Sequence, residues 1–150
     1  MSRTVAIIGA GTMGGGIAIS ALAGGCRVTL IDTTEAALAA AEARIGEAFA
    51  RMVEKGRMSA ESAEASRAAL SLSTRMEAAA GAALVIEAVF EDLAVKTGLL
   101  TRLAPHLDDE AVVATNTSAL RVSDLAGCLP DPGRFLGLHF FSPADINPLV

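Results

Sequence analysis

The stretch VAIIGAGTMGGGIA, residues 5–18, decides how the rest of the chain is read. A short apolar, β-branched segment runs straight into a cluster of glycines and out again into an apolar segment. Glycine inside a regular element costs stability, so Gly9, Gly11 and Gly14 need a backbone reason. The spacing G-x-G-x-x-G between a strand and a helix supplies one. Gly9 permits a tight turn, Gly11 lets the backbone approach a bound group, and Gly14 lets the helix pack close to the sheet.

Outward from this turn the chain alternates. TVAIIG (4–9) reads as a buried strand, and the helix after the glycines stops at Gly24-Gly25. RVTLID (27–32) is a second strand. A threonine cap then opens a long helix, TTEAALAAAEARIGEAFARMVEKG, that ends at Gly56. Its apolar positions Leu38, Ile45, Phe49, Met52 and Val53 recur at helical spacing. SAESAEASRAAL predicts a second helix folding back on the first. LSLST (70–74), ALVIEAVF (83–90), AVVATNT (111–117) and FLGLHFF (135–141) read as further strands, with LAVKTGLLTRLAPHL and RVSDLAGCL supplying helices between them. Such alternation predicts an α/β fold of the Rossmann type: a doubly wound, mainly parallel sheet with helices on both faces and a long helical hairpin after the second strand. The expected strand order is 3-2-1-4-5-6, with right-handed crossovers.

Composition bounds what such a domain does. In 150 residues, 52% are hydrophobic and 19% charged, which suits one globular domain. No apolar run approaches the roughly 20 residues of a membrane helix. A net charge of -5 without a basic cluster argues against nucleic acid. The two cysteines, Cys26 and Cys128, form no metal-ligand pattern and read as reduced thiols of a cytoplasmic protein. No metal is expected.

The second strand ends in Asp32, the position from which a carboxylate reaches the adenosine ribose of a dinucleotide. Gly9, Ala10, Gly11, Thr12, Met13 and Gly14 then form the diphosphate turn at a helix N-terminus, where unpaired N–H groups and the helix dipole favour negative charge. A carboxylate at position 32 repels a 2'-phosphate, and Thr33 and Thr34 bring no arginine to accept one. The expected cofactor is NAD rather than NADP.

Ligands of this architecture lie beyond the carboxyl ends of the strands, where EAVFED (87–92), ATNTSAL (114–120) and LHFFSP (138–143) fall. His139 ends an apolar strand, and a histidine beside a nicotinamide suffices as base for alcohol oxidation. A satisfied core histidine reads equally well from the residue alone. His106, after Pro105, is expected to be exposed at a helix end.

GAGTMGGGIA, LVIEAVFEDLAVK, ATNTSAL and GLHFFSPADINPLV, in this order, resemble the L-3-hydroxyacyl-CoA dehydrogenases over essentially the whole chain. The resemblance implies NAD-dependent oxidation of the 3-hydroxyl of an acyl-CoA, or the reverse. His139 then matches the general base, and Ser118 the serine that touches both the nicotinamide side and the substrate. Glu91 and Lys96 match an acid and a base that contact NAD; without the resemblance both read as solvated charges at a helix start. Lys55 matches a lysine that meets coenzyme A phosphate, although an exposed lysine ending a helix is equally natural there. Ser142 stands where many relatives carry an asparagine, and serine is the shorter donor and acceptor for the cofactor.

The resemblance also implies a partner domain. Residues 1–150 correspond to the NAD-binding half. The family's second, helical domain, which closes the acyl pocket and forms a homodimer, is expected to be absent from this chain. The glutamate that pairs with the histidine in relatives follows their L-V, where this sequence has Leu149-Val150 as its last residues. Weak activity alone is therefore expected. The alternative is a non-catalytic NAD-binding module. A 3-hydroxyisobutyrate type of dehydrogenase fits less well, because NTS followed by HFFSP is not its pattern.

Overall fold

A computed structural model describes residues 3–150. Six parallel strands form one sheet in the order β3-β2-β1-β4-β5-β6, as expected. The strands are β1 (Thr4–Ile8), β2 (Arg27–Ile31), β3 (Leu70–Ser73), β4 (Leu84–Glu87), β5 (Val112–Thr115) and β6 (Phe135–Gly137). Parallel pairing forces each connection to cross over a face of the sheet, and helices supply the crossovers. They are α1 (Thr12–Ala23), α2 (Glu35–Glu54), α3 (Ala60–Ala68), α4 (Leu93–Leu103) and α5 (Val122–Ala126), while the crossover from β3 to β4 carries only the 3-10 turn Met76–Ala79.

Because side chains alternate along a strand, the inner strands β2, β1, β4 and β5 feed two cores. Val5 and Ile7 of β1 pack with Val28 and Leu30 of β2 against α1 and α2, through Ile17, Leu22, Leu38, Ile45 and Phe49. Ala6 and Ile8 face the other way, joining Ile31, Val85, Leu100, Leu103 and Leu125. Burial on both faces explains why these strands read as continuous apolar runs rather than as alternating ones. Among the described residues no helix is long and apolar enough to cross a membrane.

Helix α2 starts where the Thr34 hydroxyl accepts from the Ala37 N–H at 3.2 Å and runs for 20 residues. Its buried stripe is Leu38, Ala41, Ile45, Ala48 and Phe49, with Met52 and Val53 half-buried. The chain then turns through Gly56, at φ 65°, into α3, which touches α2.

Three strands are shorter than their apolar runs. Pairing of β4 stops at Glu87, of β5 at Thr115 and of β6 at Gly137, each followed by one last ladder-like bond: Ala88 N–H to the Ile8 carbonyl, Asn116 N–H to the Glu87 carbonyl and Leu138 N–H to the Thr115 carbonyl. The runs 83–90, 111–117 and 135–141 continue past these points because the loops at the sheet edge are themselves partly apolar. Beyond those bonds the Val89 and Phe140 N–H groups donate to the side chains of Glu87 and Asn116 instead of a neighbouring strand.

The turn after β1 shows what the glycines do. Gly9 sits at φ 107°, and a Cβ there would come within 2.6 Å of the Ala88 carbonyl oxygen. A Cβ on Gly14 would stand 1.7 Å from the Gly9 carbonyl oxygen, whereas one on Gly11 would meet nothing within 4 Å. The expected outcome is that Gly14→Ala destabilises the fold by about 2–4 kcal/mol or prevents folding. Gly11→Ala should cost within about 1 kcal/mol, the difference between glycine and alanine as an N-cap. Thermal and urea melts of the two variants check this contrast.

Candidate functional site

The order of the sheet reverses between β1 and β4, which opens a crevice at their carboxyl ends. A cleft of about 760 Å³ lies there, walled by Gly9, Gly11, Asp32, Ala88, Val89 and Phe90 among others. Gly11 is the N-cap of α1 and carries no side chain to satisfy the first-turn N–H groups. Thr12 is exposed and Met13 half-buried beside it. Open space at Gly11 together with free helix-start donors is the cradle that a dinucleotide diphosphate needs.

Asp32 faces the same turn. One carboxylate oxygen accepts from Ala10 N–H at 2.8 Å and the other from Thr34 N–H at 3.2 Å. The acid thus tethers the glycine turn to the end of β2. Each oxygen has a second lone pair, so these bonds leave capacity for ribose hydroxyls. His106 departs from expectation. The 3-10 turn Ala104–His106 brings it back against the cleft wall, half-buried, with Arg102 and Glu77 also lining that end. Proline-initiated tightening after α4 turns the imidazole inward, which helix-end spacing does not reveal.

Farther along the same edge a buried charge network joins β4, β5 and α4. Lys96 is 1% exposed and Glu87 0%, so Lys96 is not the solvated helix-start charge that its position alone suggests. Its ammonium donates to a Glu87 carboxylate oxygen at 2.7 Å and pairs with Glu91 at 3.2 Å. Glu87 also accepts from Val89 N–H at 2.7 Å and from the Thr115 hydroxyl at 2.6 Å. Glu91 in turn accepts from the N–H groups of Ser118 and Ala119, each at 3.0 Å, and from the Thr117 hydroxyl. One carboxylate therefore holds the loop that presents Ser118. Partial burial pushes the Glu91 pKa up, but the Thr117 hydroxyl, the Ala119 N–H and the Lys96 ammonium outweigh it and hold it at about 2 instead of 4.5.

The loop after β5 is fastened to the segment after β6. Asn116 donates its N–H to the Glu87 carbonyl at 2.8 Å, and its side-chain oxygen accepts from Phe140 N–H at 2.8 Å. This sets exposed Ser118 and half-buried His139 on neighbouring loops. The His139 ring leans on Phe141, with centroids 4.6 Å apart and planes at 42°. Ser142 follows, exposed, before Pro143.

Lys55 lies elsewhere. It is the exposed C-cap of α2 and borders a small cavity of about 90 Å³ with Arg51, Arg57, Asp145 and Ile146. Glu87, Asn116 and Thr117 are the site residues that sequence reasoning missed. Their signal was present in the polar ends of apolar runs, but which strand ends are neighbours depends on the sheet order.

Two outcomes follow from the network. Lys96→Met, which strands the Glu87 charge in the interior, should destabilise by about 3–5 kcal/mol, and adding Glu87→Gln should recover much of that loss; urea denaturation of the single and double variants measures the coupling. Because the folded pKa of Glu91 is depressed, its contribution is complete above pH 4.5 and disappears as pH falls toward about 2. Glu91→Gln should therefore flatten the fall in melting temperature across that window, as read by acid titration of thermal melts.

Comparison with known proteins agrees with this geometry. The sequence profile described as "3-hydroxyacyl-CoA dehydrogenase, NAD binding domain" matches residues 4–150. A 3-hydroxyadipyl-CoA dehydrogenase of Escherichia coli is 40% identical over 148 residues, covering 99% of this chain and 31% of that protein. A 3-hydroxybutyryl-CoA dehydrogenase of Mycobacterium tuberculosis is 37% identical over 149 residues, covering 99% of this chain and 52% of its own length. The crystal structure of (S)-3-hydroxybutyryl-CoA dehydrogenase from Ralstonia eutropha superposes with a TM-score of 0.93 at 30% identity, over 97% of this chain and 52% of that one. The chain thus spans about half the length, or less, of these relatives. It belongs to the 3-hydroxyacyl-CoA dehydrogenase family, as an NAD-binding domain.

Proposed function

We propose that this chain is the cofactor half of an enzyme that oxidises the 3-hydroxyl of an L-3-hydroxyacyl-CoA to the 3-oxo compound, or catalyses the reverse. The observation that carries the reading is the bond from Phe140 N–H to the Asn116 side chain, which holds the Ser118 loop against the His139 segment at adjacent strand ends. Bound NAD supplies the hydride acceptor. In this reading the glycine turn, residues 9–14, meets the diphosphate and Asp32 the adenosine ribose. Glu91, Lys96, Ser118 and Ser142 serve the nicotinamide end.

The chemistry needs a proton acceptor and an oriented oxygen. His139 takes the hydroxyl proton, the O–H electron pair becomes the second C–O bond, and the C–H electron pair leaves the hydroxyl-bearing carbon as hydride to the acceptor. The Ser118 hydroxyl holds the substrate oxygen, which restricts it to the reactive orientation. Glu91 and Lys96 act through the loop: Lys96 is too buried to present its ammonium broadly, and its pairing fixes the carboxylate that grips Ser118. Lys55, with Arg51 and Arg57 beside it, is assigned to the coenzyme A phosphates.

The remainder of the reading concerns the whole protein. We assign it a second, helical domain that completes the acyl pocket and pairs two copies as a homodimer. Leu136, Phe141, Ile146 and Leu149, in β6 and the segment after it, are exposed apolar residues that we assign to that contact. The free cysteines Cys26 and Cys128 fit a reducing compartment, and we assign the protein to the cytoplasm.

The test joins this chain to the second half of the 37%-identical relative and follows NADH oxidation with acetoacetyl-CoA. Turnover is expected, and His139→Gln should lower kcat by about 10²–10⁴, the usual share of a general base, without weakening NAD binding. Turnover that survives the substitution would remove His139 from the mechanism. A chimera that binds NAD and turns nothing over would leave a dinucleotide-binding module.

A further inference from the structure

We infer that Arg44 is a positioning residue for the diphosphate of the bound dinucleotide, an assignment that rests on reading the cleft as a dinucleotide site. Arg44 lies midway along α2, 34 residues from the turn that it reaches. Its Nη2 donates to the Ala10 carbonyl at 2.9 Å and makes a longer contact of 3.5 Å with the Gly11 carbonyl. The guanidinium lies over the bare backbone of Gly15, where a Cβ would stand 3.6 Å from Nη2.

The planar trans peptide gives these contacts a consequence. Within each unit the C=O and the N–H point in opposite directions. Holding the Ala10 and Gly11 carbonyls therefore turns the N–H groups of Gly11 and Thr12 away from Arg44. Among the described residues, neither N–H donates to another backbone carbonyl. Both lie at the helix start where Gly11 borders the cleft. A cation on the carbonyl side also polarises each peptide, strengthening its N–H as a donor to an anion. The first turn of α1 carries no acid to oppose this field. Arg44 thus acts through two backbone donors and adds its own positive charge to the helix dipole. Its side chain is exposed, so its loss leaves the core intact.

Calorimetric titration of the chain with NAD+, ADP-ribose and adenosine, with circular dichroism confirming the fold, tests the assignment. Arg44→Ala should weaken NAD+ and ADP-ribose about tenfold at low salt, the scale of one charge-assisted hydrogen bond, and leave adenosine unchanged. Added salt should narrow the gap between wild type and variant. Arg44→Lys, which keeps the charge and a donor, should recover most of the loss. Wild-type affinity for NAD+ in Arg44→Ala, an equal loss for adenosine, or Arg44→Lys as weak as Arg44→Ala would each overturn the inference. A wild-type chain that binds no NAD+ would instead overturn the dinucleotide reading, and the inference with it.

Discussion

Helix α1 lies so close to the end of β1 that the Gly9 carbonyl occupies the place of any side chain on Gly14. This contact brings the helix start directly over the strand end, so free N–H groups meet the mouth of the cleft rather than solvent beyond it. The same closeness fixes the crevice between β1 and β4, because Gly9 has no room for a Cβ beside the Ala88 carbonyl. Asp32 then reaches across from β2 to the Ala10 N–H, and the turn is held from both neighbouring strands. The dinucleotide site is therefore a consequence of backbone packing, with few side chains involved.

At the other end of the sheet edge the physics is reversed. Glu87 and Lys96 are buried charges, and a buried ion pair survives only where geometry and additional hydrogen bonds offset desolvation. Glu87 meets this condition with Lys96, the Val89 N–H and the Thr115 hydroxyl around one carboxylate. Glu91 extends the network outward to the backbone of Ser118 and Ala119. The network joins a strand end, a helix start and a loop that an apolar core has no means of fixing. Its product is orientation of the Ser118 loop, with stability a secondary matter.

Much of the fold was legible because burial on both faces writes itself as apolar, β-branched runs, and helices as glycine-bounded periodic segments. The strand order expected for a doubly wound sheet of this type is the one observed, although alternation of strands and helices does not by itself fix it. The ends of β4, β5 and β6 were not legible. Val89, Phe90, Leu138 and Phe140 are as apolar as the paired residues before them, yet they belong to loops. Pairing stops where a neighbour's backbone stops, which no single strand records. His106 was misread for a related reason: the direction of a 3-10 turn depends on what it packs against.

The local code of the chain was enough for the glycine turn, the acid at position 32 and the alternation of strands and helices, because each is governed by residues within one or two turns of one another. The partnership of Glu87 with Lys96, the tie between Asn116 and Phe140 and the reach of Arg44 to Ala10 are of another kind. The two longer ties bring together groups 24 and 34 residues apart, and even Lys96 meets Glu87 only because α4 folds back over the end of β4. Such contacts exist only once the sheet has set its strands side by side, since spatial proximity rather than chain spacing decides which polar groups can satisfy one another.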